Sequence, residues 1–183
     1  MADKIAVTIH EVFPDLSLEE IRLIKNYLAL LFKWHATSNI VSSSDVEYVI
    51  KREIYDSRML SKLACGTSFT DIGSGGGIPG VILAILNPDR HVTLLDRKST
   101  FIEFLEIVKS ELKLKNVIIQ KQDFFDKKNM IVTECVLFKN FSNKKIAKMD
   151  FENKLKYLIG TVKKSKSVSK VYILTGTPVL QLS

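Results

Sequence analysis

A chain of 183 residues that is 46% hydrophobic and 26% charged has the size and balance of one globular domain with a substantial core, which excludes a disordered segment. Its 27 lysines and arginines against 20 acidic residues leave a net charge of +7. That balance suits a polyanionic partner such as nucleic acid, although a lysine-rich composition alone produces the same figure. Residues 1–10 lack the apolar core of a signal peptide, and no stretch approaches the roughly 20 apolar residues of a membrane span, so a cytoplasmic protein is expected. Cys65 and Cys135 have no metal-ligand spacing and read as reduced core thiols.

In chain order, Ser17-Leu18-Glu19-Glu20 forms a capping box. The apolar spacing of Leu18, Ile21, Ile24, Leu28, Leu31 and Phe32 then predicts a helix through Trp34. Ser42-Ser43-Ser44-Asp45 is a polar turn that caps a second helix, Val46 to about Leu63, with a break in register near Asp56-Ser57. Its Lys51, Arg52, Glu53 and Arg58 read as a solvated face. Residues 1–64 are thus expected to be a helical segment packed on a core of residues 65–183, and Gly66 marks the entrance to the first strand.

From there strands and helices alternate: strand 67–72, helix 79–87, strand 91–95, helix 99–113 and strand 116–120. A fourth strand at 131–139, a helix from about Asp150 to Lys164 and a fifth strand at Lys170 to Leu174 follow. This alternation predicts a parallel α/β sheet with ligands at the carboxyl ends of its strands. Lys144, Lys145, Lys148, Lys154, Lys156, Lys163, Lys164, Lys166 and Lys170 make the last third the most basic, either to touch phosphates or as a solvated face.

Five of the eight glycines fall in Asp71-Ile72-Gly73-Ser74-Gly75-Gly76-Gly77-Ile78-Pro79-Gly80. Read as strand, turn and helix, this is a nucleotide-cradling loop. Gly73, Gly75 and Gly77 make the turn and keep Cβ atoms out of a ligand's path, and Pro79 starts the helix. The spacing departs from G-x-G-x-x-G, and no Lys-Ser or Lys-Thr follows, which excludes a P-loop. Asp71 before the loop and Asp96 at the end of the second strand bracket the turn as ribose ligands would, or cap turns and helices. Gln122-Asp123-Phe124-Phe125 offers an acceptor and an aromatic wall to a purine.

Those residues, with Trp34-x-x-x-x-Asn39-Ile40-Val41, Asp56-Ser57, Leu94-Leu95-Asp96, Phe101-x-x-Phe104-Leu105 and Glu111-Leu112-Lys113-Leu114-x-Asn116-Val117, carry a resemblance. From about Leu28 to Gly176 the chain resembles the bacterial 16S ribosomal RNA guanine-N7 methyltransferase family, also called the glucose-inhibited division protein B family. The resemblance implies a seven-stranded, Rossmann-like class I methyltransferase fold and S-adenosyl-L-methionine as methyl donor. It implies N7 of a guanine in small-subunit ribosomal RNA, free or in the ribosomal subunit, as acceptor.

Family cofactor contacts fall on Gly73 and Ile78. A family dipeptide ending in Glu falls on Phe124-Phe125, with Asp123 just upstream to take its place, and a family Arg falls on Lys139. Together with Gly75, Gly77 and Asp96, these form the candidate cofactor set. The family's Arg-Ala pair reads Lys139-Asn140, and its Lys-Gly pair reads Thr175-Gly176. The chain then stops at Ser183, so the last two strands are expected to be absent, leaving the fifth as an edge open to self-association. Guanine N7 carries an unprotonated lone pair, so no catalytic base and no metal are expected, and His35 and His91 read as structural. The alternative is a truncated, catalytically impaired relative that binds cofactor or RNA without methylating. A small-molecule methyltransferase fits the helical N-terminal segment and the basic charge less well.

Overall fold

The capping box forms as its sequence dictates: Ser17 N–H donates to Glu20 Oε2 at 2.7 Å and Glu20 N–H to Ser17 Oγ at 3.2 Å. The computed structural model describes residues 2–38, 40–41, 43–126, 131–141, 144, 146–174 and 180–182. Asn39, Ser42, Lys145, Thr175 and Gly176, singled out in the sequence, lie outside the described residues. The capped helix runs from Leu18 to Ser38 (α2) and buries Ile24, Tyr27, Leu28 and Leu31. It is preceded by a helix the sequence reading did not anticipate, Ala2–Val12 (α1). Ile5, Ile9 and Phe13, one helical turn apart, are buried in the same core as the α2 residues.

The second predicted helix is present, but its irregularity lies earlier than Asp56-Ser57. Asp45 caps Val46–Tyr48 (α3) by accepting from the Glu47 and Tyr48 amides. The chain then widens into a π-helical segment, Val49–Ile54, before resuming as Tyr55–Leu63 (α4). Glu53, four residues after Val49 and three after Ile50, lies on their side of the helix and is buried with Val49, Ile50 and Ile54. The reading of this stretch as a solvated face is therefore corrected for two residues. Glu53 and Arg58 are each only 9% exposed. Arg58 pairs with Asp15 and lies over the Phe13 ring, whereas Lys51 and Arg52 stay exposed.

The alternating part of the chain gives β1 (Ser68–Ile72), α5 (Gly80–Leu86), β2 (His91–Asp96), α6 (Ser99–Glu111), β3 (Val117–Lys121), β4 (Cys135–Lys139), α7 (Phe151–Val162), β5 (Lys170–Leu174) and β6 (Leu180–Leu182). The sheet order is β3-β2-β1-β4-β5-β6, with the first five strands parallel. β4 is shorter than the predicted 131–139 because Glu134 is engaged sideways, its carboxylate accepting from Thr67 N–H and its carbonyl from Ser169 N–H.

The expectation that the fifth strand would form the edge is also corrected: β6 runs antiparallel along β5, with Tyr172 opposite Gln181. Helices α1, α2, α5 and α6 share one buried cluster, and α7 closes a second over Ile72, Val136 and Phe138. Cys135 is buried, with its thiol pushed up to about 11 by burial, but Cys65 is exposed rather than in the core. No helix among the described residues is long and apolar enough to cross a membrane.

β1 sits at the centre with both faces covered, and the chain leaves it for β2 on one side while β4 lies on the other. That reversal between β1 and β4 is a topological switch point, the place where an open α/β sheet forms a crevice at its strand ends. The N-terminal helices wall this crevice. Fully buried Tyr27 donates its hydroxyl to Gly76 O at 2.6 Å, and Leu31 packs close enough to Gly76 that a Cβ there would lie 3.0 Å from its methyl. Tyr27→Phe leaves the Gly76 carbonyl unpaired and is expected to lower stability by about 1–2 kcal/mol, read as a lower urea midpoint at unchanged slope.

Candidate functional site

The turn between β1 and α5 has three left-handed residues: Gly73 at φ +74°, Gly75 at +53° and Gly77 at +94°. Backbone bonds hold its shape, from Gly73 N–H and Ser74 N–H to Leu95 O and from Gly77 N–H to Ser74 O. The three glycines do different work. A Cβ on Gly75 would meet nothing closer than Gly73 O at 3.9 Å, so this residue faces open space. A Cβ on Gly73 would sit 2.6 Å from the Phe141 ring, and one on Gly77 would sit 2.5 Å from Val81 Cγ2 and 3.0 Å from Leu105. Gly77 is therefore required by packing against α5 and α6, not by a ligand's path.

The two bracketing aspartates also separate. Asp71 is 1% exposed and its Oδ2 accepts from Gly80 N–H at 3.0 Å, at the first residue of α5. It caps a helix beneath the turn, where the positive end of the helix dipole favours a carboxylate, and the ribose role is corrected for this residue. Burial pushes its carboxyl up to about 7, with the Gly80 amide opposing and the Asp96 charge adding to the rise.

Asp96, at the end of β2, accepts from Gly75 N–H and from Lys98 N–H, both at 3.0 Å. It lines a cleft with Gly73, Gly75, Phe101, Gln122, Asp123, Phe124, Phe125, Asn140 and Phe141. Asp123 Oδ1 accepts from Phe125 N–H at 2.9 Å, and Arg97 stands 3.9 Å from its other oxygen. Phe124 packs edge-on against Phe125, Phe138 and Phe141, at centroid distances of 4.9, 5.4 and 5.7 Å.

A second cleft adjoins the first through Gly73, Gly75 and Asn140. Its walls are Ile40, Val41, Val49 and Ile78, and its charged residues are Glu53 and Lys139, joined as an ion pair. Both side chains are nearly buried, at 12% and 13% exposure. Burial, with the Arg52 guanidinium nearby, pushes the Lys139 ammonium down to about 8.

Of the predicted set, Gly73, Gly75, Asp96, Asp123, Phe124 and Phe125 thus meet in the first cleft, Ile78 and Lys139 line the second, and Gly77 lines neither. Glu53, which the sequence places on a solvated face, Phe141, which no motif marks, and Asn140, a departure from the family pair, also line the clefts. Asn140 and Phe141 follow β4, so the rule that ligands gather at strand ends would have found them. Glu53 carries a different signal, since its spacing from Val49 and Ile50 puts it on the apolar side of the helix.

The first cleft fits a nucleoside. A carboxylate stands at the end of β2 where ribose hydroxyls bind, an amide and a second carboxylate follow β3, an aromatic wall closes the side, and the floor at Gly75 lacks a Cβ. Among solved structures the chain is similar to the S-adenosylmethionine-dependent methyltransferase SibL in its apo form, at 16% identity and a TM-score of 0.55 over 91% of this chain and 53% of that one. It is also similar to precorrin-6y C5,15-methyltransferase from Geobacter metallireducens, at 14% identity and a TM-score of 0.51 over 77% and 66%. At such identities the likeness is one of fold, and the fold is the class I S-adenosylmethionine-dependent methyltransferase sheet.

Within that class, the model of the GidB family, rRNA small subunit methyltransferase G, matches residues 20–162, and the chain belongs to this family. The ribosomal RNA small subunit methyltransferase G of Pseudomonas aeruginosa (strain LESB58) is 40% identical over 117 residues, which are 63% of this chain and 55% of that protein. The chain spans about half the length of the curated relatives it matches.

The Asp71 environment sets a pH dependence. Its folded-state value of about 7 lies above the ordinary 3.8, so the folded state holds the proton more tightly than the unfolded one. The stability this contributes is complete below about pH 4 and is lost as pH rises through 7, at about 1.4 kcal/mol per unit of separation. Asp71→Asn retains an acceptor for Gly80 N–H without the charge, so its stability relative to wild type is expected to improve by a few kcal/mol between pH 4 and pH 8, measured as paired urea midpoints.

Proposed function

We propose that the chain is an S-adenosyl-L-methionine-dependent methyltransferase acting on N7 of a guanine in small-subunit ribosomal RNA, as RNA or within the ribosomal subunit, in the cytoplasm. The observation that carries this reading is the pair of clefts that meet at Gly73, Gly75 and Asn140. Group transfer between two ligands needs two pockets that open onto one point. Family membership and fold point the same way. In this reading residues 1–64 form the helical wall of the acceptor side, and residues 65–183 supply the sheet.

When bound, S-adenosylmethionine supplies an electrophilic methyl group on a sulfonium. Asp96 has lone pairs beyond those given to Gly75 and Lys98 and takes the ribose hydroxyls. Asp123 and Gln122 face the adenine edge, the rings of Phe124, Phe125 and Phe141 cover its face, and Gly73 and Gly75 let the backbone approach the methionine part. Ile78 and Lys139 bound the side where donor and acceptor meet. The acceptor nitrogen carries its lone pair unprotonated and needs no proton removed. The protein's contribution is then alignment and the electrostatics of the pocket. The net charge of +7 suits the RNA; Phe125 and Lys139, the departures that motivate the reading of a relative that binds without methylating, line the two clefts.

Calorimetric titration with S-adenosylmethionine and S-adenosylhomocysteine tests the reading, with methylation of small-subunit RNA as the second step. Gly75→Val places a branched side chain in the open floor at a left-handed φ. It is expected to weaken cofactor binding more than about tenfold, or ~1.4 kcal/mol. Wild-type affinity in this variant would move the cofactor elsewhere.

A further inference from the structure

We propose that Glu53 and Lys139 read the acceptor base: the carboxylate takes the N1–H and N2–H groups of a guanine, and the ammonium meets O6. N7, on the far side of O6, then faces the junction of the two clefts at Gly73, Gly75 and Asn140. This assignment rests on the methyltransferase reading above and adds the residues that select the base.

Place is the first argument. The second cleft lies at the carboxyl end of β4, across the switch point from the cleft that holds Asp96, and shares with it the residues past which a methyl group would move. Shape and polarity follow. Ile40, Val41, Val49 and Ile78 give apolar walls for the faces of a flat ring, and the charged groups that line it are one acid and one base in contact. The Ser74 hydroxyl, which also lines it, already donates to Asp71 O at 2.8 Å.

Guanine carries an acceptor, O6, directly beside the donors N1–H and N2–H, so an adjacent cation and anion match its edge in order. Adenine reverses that order. Its amino group would face the ammonium and its N1 lone pair the carboxylate, and both mismatches would be desolvated.

The local fold brings the acid there: Glu53 lies four residues after Val49 and three after Ile50, on the buried side of the helix and away from the exposed Lys51 and Arg52. The reaction gives the acid a second use. The N7 lone pair becomes the new N–C bond, and the electron pair of the broken C–S bond stays on sulfur. The positive charge therefore passes to the purine and no proton is transferred. A carboxylate hydrogen-bonded to N1–H faces that arriving charge in a site of low polarity, where such stabilisation is strongest.

Glu53→Gln, Lys139→Ala and the exchange Glu53→Lys with Lys139→Glu separate base reading from a purely structural ion pair. Three quantities would be measured on the purified chain: melting temperature, S-adenosylmethionine affinity by calorimetry, and kcat and KM for methyl transfer to small ribosomal subunits from cells lacking this enzyme, with 7-methylguanosine located by mass spectrometry. Glu53→Gln is expected to keep cofactor affinity within about threefold while kcat falls about tenfold or more. The exchange is expected to recover the melting temperature lost by the single variants without recovering transfer. Wild-type transfer by Glu53→Gln, or recovery of transfer by the exchange, would reduce the pair to a structural contact. Wild-type protein that binds the cofactor yet methylates no guanine would remove the enzyme reading itself and this assignment with it, a result recognisable without any variant.

Discussion

A turn built mostly of glycine has no side chains with which to hold its own shape, so its shape must be imposed by its neighbours. Asp96 fixes the Gly75 amide from the end of β2, Tyr27 fixes the Gly76 carbonyl from α2, and Asp71 fixes the Gly80 amide from below. Of these, the Asp71 contact is the one on which the others depend. It ties the last turns of β1 to the first residue of α5, and so sets the height at which the loop crosses the strand ends. Its environment carries a cost, a carboxyl 1% exposed with a second carboxylate close enough to raise its titration further. The same proximity of Asp71 and Asp96 permits one to support the turn and the other to line the cleft.

The α/β order was legible because each feature has a local cause. Ser68–Ile72 and His91–Asp96 are short segments bounded by turns, the second with the apolar run Val92 to Leu95 interrupted only by Thr93, and the capping box at Ser17 is a four-residue signal whose partners are all adjacent in sequence. The first cleft was legible because strand ends carry ligands in such sheets, a rule that points to Asp96 and to Gln122 through Phe125, all of which line it. The features that were not legible depend on distant contacts. Ile5 and Ile9 give α1 only a narrow stripe without a cap, meaningful once α2 lies against it. β6 is three residues long and is defined by its pairing with β5. Asp71 was ambiguous in sequence, since an aspartate before a glycine turn can face either a ligand or a helix end, and only the position of Gly80 decides between them.

Gly77 illustrates the same limit within the loop. From sequence it is indistinguishable from Gly75, because both lie in one run and both adopt positive φ. In the fold the two face opposite ways, Gly75 into the cleft and Gly77 onto Val81 and Leu105. A glycine-rich motif therefore combines two requirements, closeness to a ligand and closeness of helix to strand, and sequence alone does not assign them.

Lys51-Arg52-Glu53 carries the argument furthest from the sequence pattern. A run of three charged residues reads as a surface when taken as a run, although on a helix the first and third point to opposite sides, and burying one of them is opposed by desolvation. Helical spacing separates the three, leaving Lys51 and Arg52 in solvent and placing Glu53 on the side of Val49 and Ile50, facing Lys139 at the end of β4. An ammonium suits that place for a physical reason: it is a compact charge whose donors rotate, whereas a guanidinium is a rigid fork that prefers to bind one carboxylate with both arms. Lys139 can hold Glu53 with one donor and still turn another toward the cleft. The pair that closes the helical wall against the sheet thereby also supplies the charged groups of a pocket walled by Ile40, Val41, Val49 and Ile78, so packing and the proposed base selection converge on the same two side chains.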